Sequence, residues 1–177
     1  MEVMEEWNPV FNTQINQEPF EFGAEWKITF DLKLDGHKAT NWENIFRVSA
    51  SDNNMGTCGD RYPAIWLRSG SSNVLHITTC RNGKANYVYD HTVAGINQWI
   101  HYELGQEDRD GTIWYYLKEN GNIVHEIIND AAQAFSGLNH WSGDKHYQAC
   151  ESCAIKNWTY STIYLGNPRV VTQLFIF

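Results

Sequence analysis

A polar loop between residues 51 and 60 carries the residue types that bind calcium. Its oxygen-bearing side chains are Asp52, Asn53, Asn54 and Asp60, and two glycines lie among them. Calcium takes about six to eight oxygens from carboxylates, amide side chains and backbone carbonyls. We therefore expect a calcium site in this loop. The alternative is a polar turn between strands, because Asn, Asp and Gly are ordinary turn residues.

A second set of residues has the chemistry of a sugar-binding surface. Sugars stack on aromatic rings, and their hydroxyl groups bond to Asp, Asn and Arg side chains. The residues that we expect to contact such a ligand are Arg61, Trp141, Asp144, Tyr147 and Trp158. The alternative is that the tryptophans anchor a long loop onto the core.

Composition excludes several classes of protein. The chain has 177 residues, which fits one domain, and a net charge of −8 from 21 acidic and 13 basic residues. Nucleic-acid binding favours clustered Lys and Arg, and no such cluster is present. No apolar run approaches the roughly 18 residues of a membrane span. The acidic start lacks the features of a signal peptide, so the chain is either intracellular or a mature segment.

The elements that must position these residues are β-strands. Trp26 to Leu34 reads WKITFDLKL, in which apolar and polar residues alternate without a break. A period of two is typical of a strand with one buried face. Asp-Gly and Asn-Gly turns separate further short strands, and Asn120-Gly121 is the strongest hairpin signal. Residues 129–160 show little strand pattern, and we predict an ordered loop excursion there.

The four cysteines allow several interpretations. Cys58 precedes and Cys80 follows a predicted hairpin, whose open ends lie together, so a disulfide between them is geometrically reasonable. Cys150 and Cys153 form a Cys-x-x-Cys pair that suits a small-loop disulfide, a redox pair or half of a zinc site. An even count favours two disulfides and an oxidising exterior. Free thiols and a four-cysteine zinc site are the alternatives.

The order of these signals resembles the concanavalin A-like jelly roll, in its laminin-G-like and pentraxin-like branch. The stretches that carry the resemblance are Trp42–Ser51, Gly59–Trp66, Ile96–Leu104, Gly111–Gly121 and Trp158–Asn167. The resemblance implies two curved antiparallel sheets with neighbouring termini. Members mostly bind glycans or proteins outside the cell and often hold calcium at the rim, while others are glycosidases or polysaccharide lyases.

The catalytic motifs of that family are missing from this chain. Its glycosidases carry Glu-x-Asp-x-x-Glu on one strand, which places the carboxylates on one face, and no Glu-x-Asp occurs here. The Gln-Ile-His pattern of alginate lyases is absent too, although Tyr115, Tyr116 and Lys118 are loosely reminiscent of their Tyr/Lys strand. Histidines in predicted strands, such as His76, are interpreted as ordinary strand or core residues. We therefore expect no catalytic centre.

The sequence thus predicts an all-β, two-sheet antiparallel jelly-roll sandwich over residues 1–177, with one long loop insertion. The expected function is non-catalytic, extracellular recognition of a glycan or glycoprotein, with calcium as the expected metal. A protein-binding or self-assembling module is the alternative, for which the apolar segment Leu174–Phe177 offers a surface. A polysaccharide-cleaving enzyme is the least favoured third. Neither nucleic-acid binding nor membrane insertion is expected.

Overall fold

The computed structural model describes residues 6–163 and 173–174, and within them the regular secondary structure is entirely β-strand. No helix in this part of the chain is long and apolar enough to cross a membrane. In chain order the strands are β1 (Thr13–Gln14), β2 (Phe20–Phe22), β3 (Glu25–Leu34), β4 (Glu43–Ser49), β5 (Ala64–Leu67), β6 (Val74–Arg81), β7 (Lys84–Thr92), β8 (Ile100–Arg109), β9 (Thr112–Glu119), β10 (Asn122–Ile128), β11 (Phe135–Gly143), β12 (Gln148–Ala149), β13 (Cys153–Ile163) and β14 (Gln173–Leu174).

These strands form two sheets that share one core. The eight-stranded sheet has the order β1-β11-β4-β5-β6-β7, with β2 paired to β11 and β12 paired to β4. The six-stranded sheet has the order β10-β9-β8-β3-β13-β14. Among the described strands only the β12–β4 pair is parallel. The predicted all-β antiparallel sandwich is confirmed.

Strand β3 shows why the sequence forms this sandwich. Its apolar residues from Trp26 to Leu34 are all buried, whereas the residues between them are exposed or half-buried. Within the core, Phe30 of β3 packs edge-on against Phe46 of β4, with ring centroids 5.1 Å apart. Such aromatic pairs contribute about 0.5–1.5 kcal/mol beyond the burial of their area. Aromatic packing therefore joins the two sheets.

Tight turns connect the neighbouring strands as predicted. Asn120 and Gly121, between β9 and β10, have φ angles of 48° and 82°. Two consecutive positive φ angles define a turn whose twist matches that of the flanking strands, and glycine adopts them at little cost.

The prediction of a loop excursion over residues 129–160 was wrong. Strand β11 lies between β1 and β4, and β13 lies between β3 and β14. Strand β11 was not predicted because a buried histidine, His140, occupies a position where the alternating pattern of a strand requires an apolar residue. Strand β13 contains a bulge at Asn157, so Ile155 and Trp158 both reach the core although their spacing is odd.

Two disulfides are present, as the even cysteine count favoured. Cys58 is bonded to Cys80 and Cys150 to Cys153, and no described cysteine is free. The first ties the loop after β4 to β6, and the second closes the turn between β12 and β13. Of the apolar segment at 174–177, Leu174 belongs to β14 and the other residues lie outside the described part of the chain.

Candidate functional site

A cavity of about 180 Å³ lies against the outer face of the eight-stranded sheet, and we call it the face cavity. Its lining residues are Trp42, Met55, Arg61, Trp66, His76, Asn86 and Tyr147. Trp66 of β5 and His76 of β6 are direct cross-strand partners. Their neighbours Ile65 and Ile77 belong to the core, so strand alternation directs Trp66 and His76 to the opposite face.

Arg61 provides a buried positive charge in the face cavity. The side chain stacks over Trp66, with the guanidinium carbon 4.5 Å from the ring centroid. Its N–H groups donate to the Asn54 carbonyl at 2.9 Å, to Asn86 Oδ1 at 2.9 Å and to the Tyr147 hydroxyl at 3.2 Å, and also to Asn54 Oδ1. Arg61 is only 4% exposed, yet no carboxylate of the described residues forms an ion pair with it. An anionic ligand would supply the missing countercharge.

Tyr147 reaches the face cavity on a short segment that leaves the sheet between β11 and β12. Both of those strands pair with β4, so the segment is fastened at its two ends. Asp144 N donates to Asn44 Oδ1 at 2.9 Å, and Cys150 N donates to the Asn44 carbonyl at 2.8 Å. Asp144 Oδ1 accepts from the Tyr147 amide at 3.0 Å. The backbone of the Tyr147 segment is therefore fixed by these contacts, and the hydroxyl is held by Arg61 and Asn54, which both donate to it at 3.2 Å.

His76 supplies a titratable ring to the same cavity. Its Nδ1 lies 2.6 Å from Asp90 Oδ1 on the neighbouring strand β7. Its ring packs against Trp42, with centroids 4.6 Å apart. The other ring nitrogen, Nε2, forms no hydrogen bond with the described residues. It is thus the nitrogen left for a ligand.

The loop from 51 to 60 is organised around a second guanidinium, that of Arg47. Arg47 donates to the carbonyl oxygens of Ser51 at 3.0 Å, Asn53 at 2.5 Å and Asp60 at 2.9 Å. Its Nη1 lies 3.5 Å from Asp144 Oδ2, and both side chains are buried. Burial lowers the pKa of Arg47, and the Asp144 carboxylate opposes that shift. The three loop carbonyls that could have bound a metal ion therefore accept hydrogen bonds from the Arg47 guanidinium instead.

The four residues of the predicted calcium site have separate partners. Burial alone would raise the pKa of Asp60, but hydrogen bonds from Ser51 and Thr57 lower it below its ordinary value. Asp52 is exposed and pairs with Lys145 at 3.2 Å. The Asn53 carbonyl binds Arg47, and Asn54 binds Arg61. No group of three or more His, Cys, Asp or Glu in residues 6–163 is placed to hold a metal ion. The calcium site stays a prediction.

The predicted sugar-binding residues are divided by the structure. Arg61 and Tyr147 line the face cavity, whereas Trp141 is half-buried on β11, beside Arg47 of β4. Asp144 is buried in its ion pair with Arg47. Trp158 is fully buried and stacks on His140 with centroids 4.0 Å apart, so it is a core residue. The interpretation of Trp158 as an anchor for the fold is therefore the one that the structure favours.

Sequence reasoning missed several residues of the face cavity, above all Trp42, Trp66, His76 and Asn86. His76 was interpreted as an ordinary strand or core histidine, and the structure places it on a strand with its ring at the cavity. A usable signal was present in the predicted hairpin. Trp66 and His76 are out of phase with the apolar residues of their own strands, which places both on the outer face.

A larger cavity, of about 480 Å³, lies on the outer face of the six-stranded sheet. Its charged groups already satisfy one another: Glu103 binds Lys118 at 2.8 Å and accepts from the Tyr116 hydroxyl at 3.0 Å. The face cavity is the better candidate despite its smaller size, because it holds an uncompensated charge and a titratable ring.

Comparison with known proteins supports the fold. No protein-family model matches the chain, and no curated protein matches it. Among solved structures it is similar to a double cysteine variant of the alginate lyase A1-II', with 12% identity and a TM-score of 0.50 over 80% of this chain and 64% of that one. It is also similar to the receptor-binding domain of botulinum neurotoxin type G, with 13% identity and a TM-score of 0.52 over 93% of this chain and 43% of that one. A prokaryotic β-1,3-1,4-glucanase (lichenase) derived from a mouse hindgut metagenome has 13% identity and a TM-score of 0.49 over 82% of this chain and 68% of that one.

These likenesses identify a jelly-roll β-sandwich and do not extend to the laminin-G-like or pentraxin-like branch. The chain spans less than two thirds of the alginate lyase chain that it matches. The prediction of a non-catalytic recognition module is contradicted, because a polysaccharide-cleaving enzyme, the alginate lyase, is among the proteins with this architecture. The missing Glu-x-Asp-x-x-Glu motif argues only against the glycosidase mechanism that uses it, because one fold can carry several different chemistries.

Proposed function

We propose that the protein is a polysaccharide-cleaving enzyme that acts on an acidic, uronate-containing glycan in the face cavity. The observation that carries the proposal is the convergence of Arg61, Asn86, His76 and Tyr147 on one cavity. Arg61 has no carboxylate partner among the described residues, so a uronate carboxylate suits it as an anion. The similarity to an alginate lyase supports the fold on which such chemistry occurs.

The reaction that these groups favour is β-elimination. Arg61 neutralises the uronate carboxylate and the Asn86 amide donates a hydrogen bond to it, which makes the adjacent C5 proton more acidic. His76 Nε2 accepts that proton, and the electron pair left at C5 forms a C4=C5 double bond. The C4–O bond breaks, and the Tyr147 hydroxyl gives its proton to the departing oxygen. The products are an unsaturated uronate and a new chain end, and proton exchange with solvent restores both side chains.

Hydrolysis by paired carboxylates is less well supported. A glycosidase of that kind needs two Asp or Glu side chains on either side of the scissile bond. Among the residues that the structure describes, no Asp or Glu lines the face cavity, and Asp90 contacts His76 from the neighbouring strand. The two disulfides agree with an oxidising, extracellular setting, in which polymeric glycans are encountered.

The test is a cleavage assay on matched acidic and neutral glycans, such as polymannuronate, polyguluronate, pectate and a neutral β-glucan. Ultraviolet absorbance detects the C4=C5 double bond, and a separate assay detects reducing ends. We expect both signals from at least one acidic glycan and neither from the neutral one. His76→Ala and Tyr147→Phe are expected to abolish the absorbance. Reducing ends without the double bond would show a hydrolase, and no cleavage of any uronate polymer would refute the proposal.

A further inference from the structure

The position of His76 in the sheet suggests how its ring is prepared for proton transfer. Each carboxylate oxygen of Asp90 has its own partner, a hydrogen bond on one side and an ion pair on the other. His76 Nδ1 lies 2.6 Å from Oδ1, and Arg68 Nη1 lies 3.2 Å from Oδ2. His76 lies on β6, Asp90 is its cross-strand partner on β7, and Arg68 directly follows β5. The sheet therefore sets their spacing.

We infer that Asp90, held in turn by Arg68, orients His76 so that Nε2 is the proton acceptor in the face cavity. This makes Asp90 a positioning residue, and the inference rests on the proposed function. A carboxylate can only accept, so the neutral imidazole must place its single hydrogen on Nδ1. The lone pair is then on Nε2. Trp42 packs on the ring at 4.6 Å and limits its rotation.

A structural salt bridge would use the same contacts, so the test needs a matched pair that lies elsewhere. The chain provides one in His101 and Asp31, cross-strand partners on β8 and β3 of the other sheet. His101 Nδ1 lies 2.7 Å from Asp31 Oδ1, almost the distance found for His76 and Asp90. Asp31→Asn is therefore the control for Asp90→Asn.

The first measurement is a proton–nitrogen NMR spectrum of the histidine rings in the intact protein. We expect the neutral form of His76 to carry its proton on Nδ1. In Asp90→Asn the amide N–H can donate to Nδ1, which moves the ring proton to Nε2. Asp31→Asn should change the signals of His101 and leave those of His76 unchanged. A neutral His76 protonated on Nε2 in the unmodified protein overturns the inference.

The second measurement is the pH dependence of cleavage. Asp90→Asn is expected to lower kcat by roughly tenfold or more with little change in KM, since complete loss of a general base typically costs about 10²–10⁴-fold. Among the described residues, the charged or titratable groups that pair with His76 or Asp90, or line the same cavity, are Asp90, Arg68, Arg61 and Tyr147. Removing the Asp90 anion disfavours the imidazolium, so the acidic limb of the profile moves to lower pH. Removing a cation with Arg68→Gln moves that limb to higher pH.

The fall in kcat at little changed KM separates positioning from mere stabilisation, because a bridge that only stabilised the fold would leave kcat of the folded enzyme unchanged. An Asp90→Asn enzyme with the kcat and pH profile of the unmodified protein overturns the inference. The proposed function fails separately, if the unmodified protein cleaves no uronate polymer. The NMR result does not depend on activity, so the two failures are distinguishable.

Discussion

At the scale of single residues, two buried guanidinium groups have different tasks. Arg47 is neutralised by Asp144 and by three loop carbonyls, so its charge is used within the fold. Arg61 is similarly buried but has only neutral partners among the described residues. The burial of a charge is costly unless it is compensated. The one that lacks an acidic partner is the one that lines the cavity.

We expect Arg61→Gln to lower kcat/KM on the acidic glycan by roughly 10²-fold, since truncating one partner of a buried charge pair costs about 2–5 kcal/mol. Steady-state kinetics measure the change, and the thermal midpoint reports any loss of folding. Arg109→Gln is the control, because Arg109 pairs with Glu107 and Glu126 on the six-stranded sheet. Equal activity of both variants would contradict the role given to Arg61.

His140 links stability to pH. Complete burial lowers its pKa to about 3, below the ordinary value of 6.5. Between pH 6.5 and about 3 the unfolded chain binds a proton that the folded chain does not, so this residue makes stability fall as the pH falls. The slope approaches about 1.4 kcal/mol per pH unit at most.

The variant His140→Phe should flatten this dependence, because it removes the titrating group and keeps an aromatic ring beside Trp158. Urea unfolding of both proteins at several pH values between about 4 and 6.5, within the window set by these two pKa values, measures the difference. Parallel stability curves for the two proteins would show that other groups cause the acid sensitivity.

At the scale of elements, the site depends on how strand β4 is used. Strands β11 and β12 pair with the same side of β4, and the segment between them delivers Tyr147 to the cavity. On the other side, β5 and β6 contribute Trp66 and His76 from adjacent positions. Two disulfides add covalent links to this part of the fold, one closing a long loop and the other a short turn.

Removing Cys58–Cys80 is expected to cost more stability than removing Cys150–Cys153. The two bridges span 22 and 3 residues. Loop-closure entropy then gives about 3 kcal/mol for the long bridge and about 2 kcal/mol for the short one. Paired Cys→Ser variants compared by urea unfolding test this order. A larger loss from the short bridge would mean that local packing outweighs chain entropy.

At the scale of the whole molecule, the net charge of −8 opposes the approach of a polyanion. Added salt screens this long-range repulsion more strongly than it screens contacts with the buried Arg61. We expect kcat/KM on the acidic glycan to rise a few-fold from very low salt to about 0.15 M, where the Debye length is near 8 Å. A steady fall with salt would instead indicate guidance by a basic surface.

The sequence predicted the architecture well and the site poorly. The alternation of β3, the Asn-Gly turn at 120–121 and the hairpin between Cys58 and Cys80 each reflect local rules. Strands β11 and β13 were missed, since a buried histidine and a bulge interrupt their periodicity. Of the ligand-binding residues that were named, Arg61 and Tyr147 reach the face cavity.

The sequence by itself determined the fold class and favoured the disulfide pairing, because strand periodicity and turn chemistry act over a few residues. Only the tertiary structure decided which polar residues meet. Arg61, His76, Asn86 and Tyr147 come from separate segments, and the register of β4 to β7 sets their distances together with the pairing of β11 and β12 on β4. It also decided that Arg47 occupies the centre of the 51–60 loop, since that contact depends on long-range packing. No local sequence pattern indicates that Arg61, rather than Arg47, lacks a carboxylate partner among the described residues.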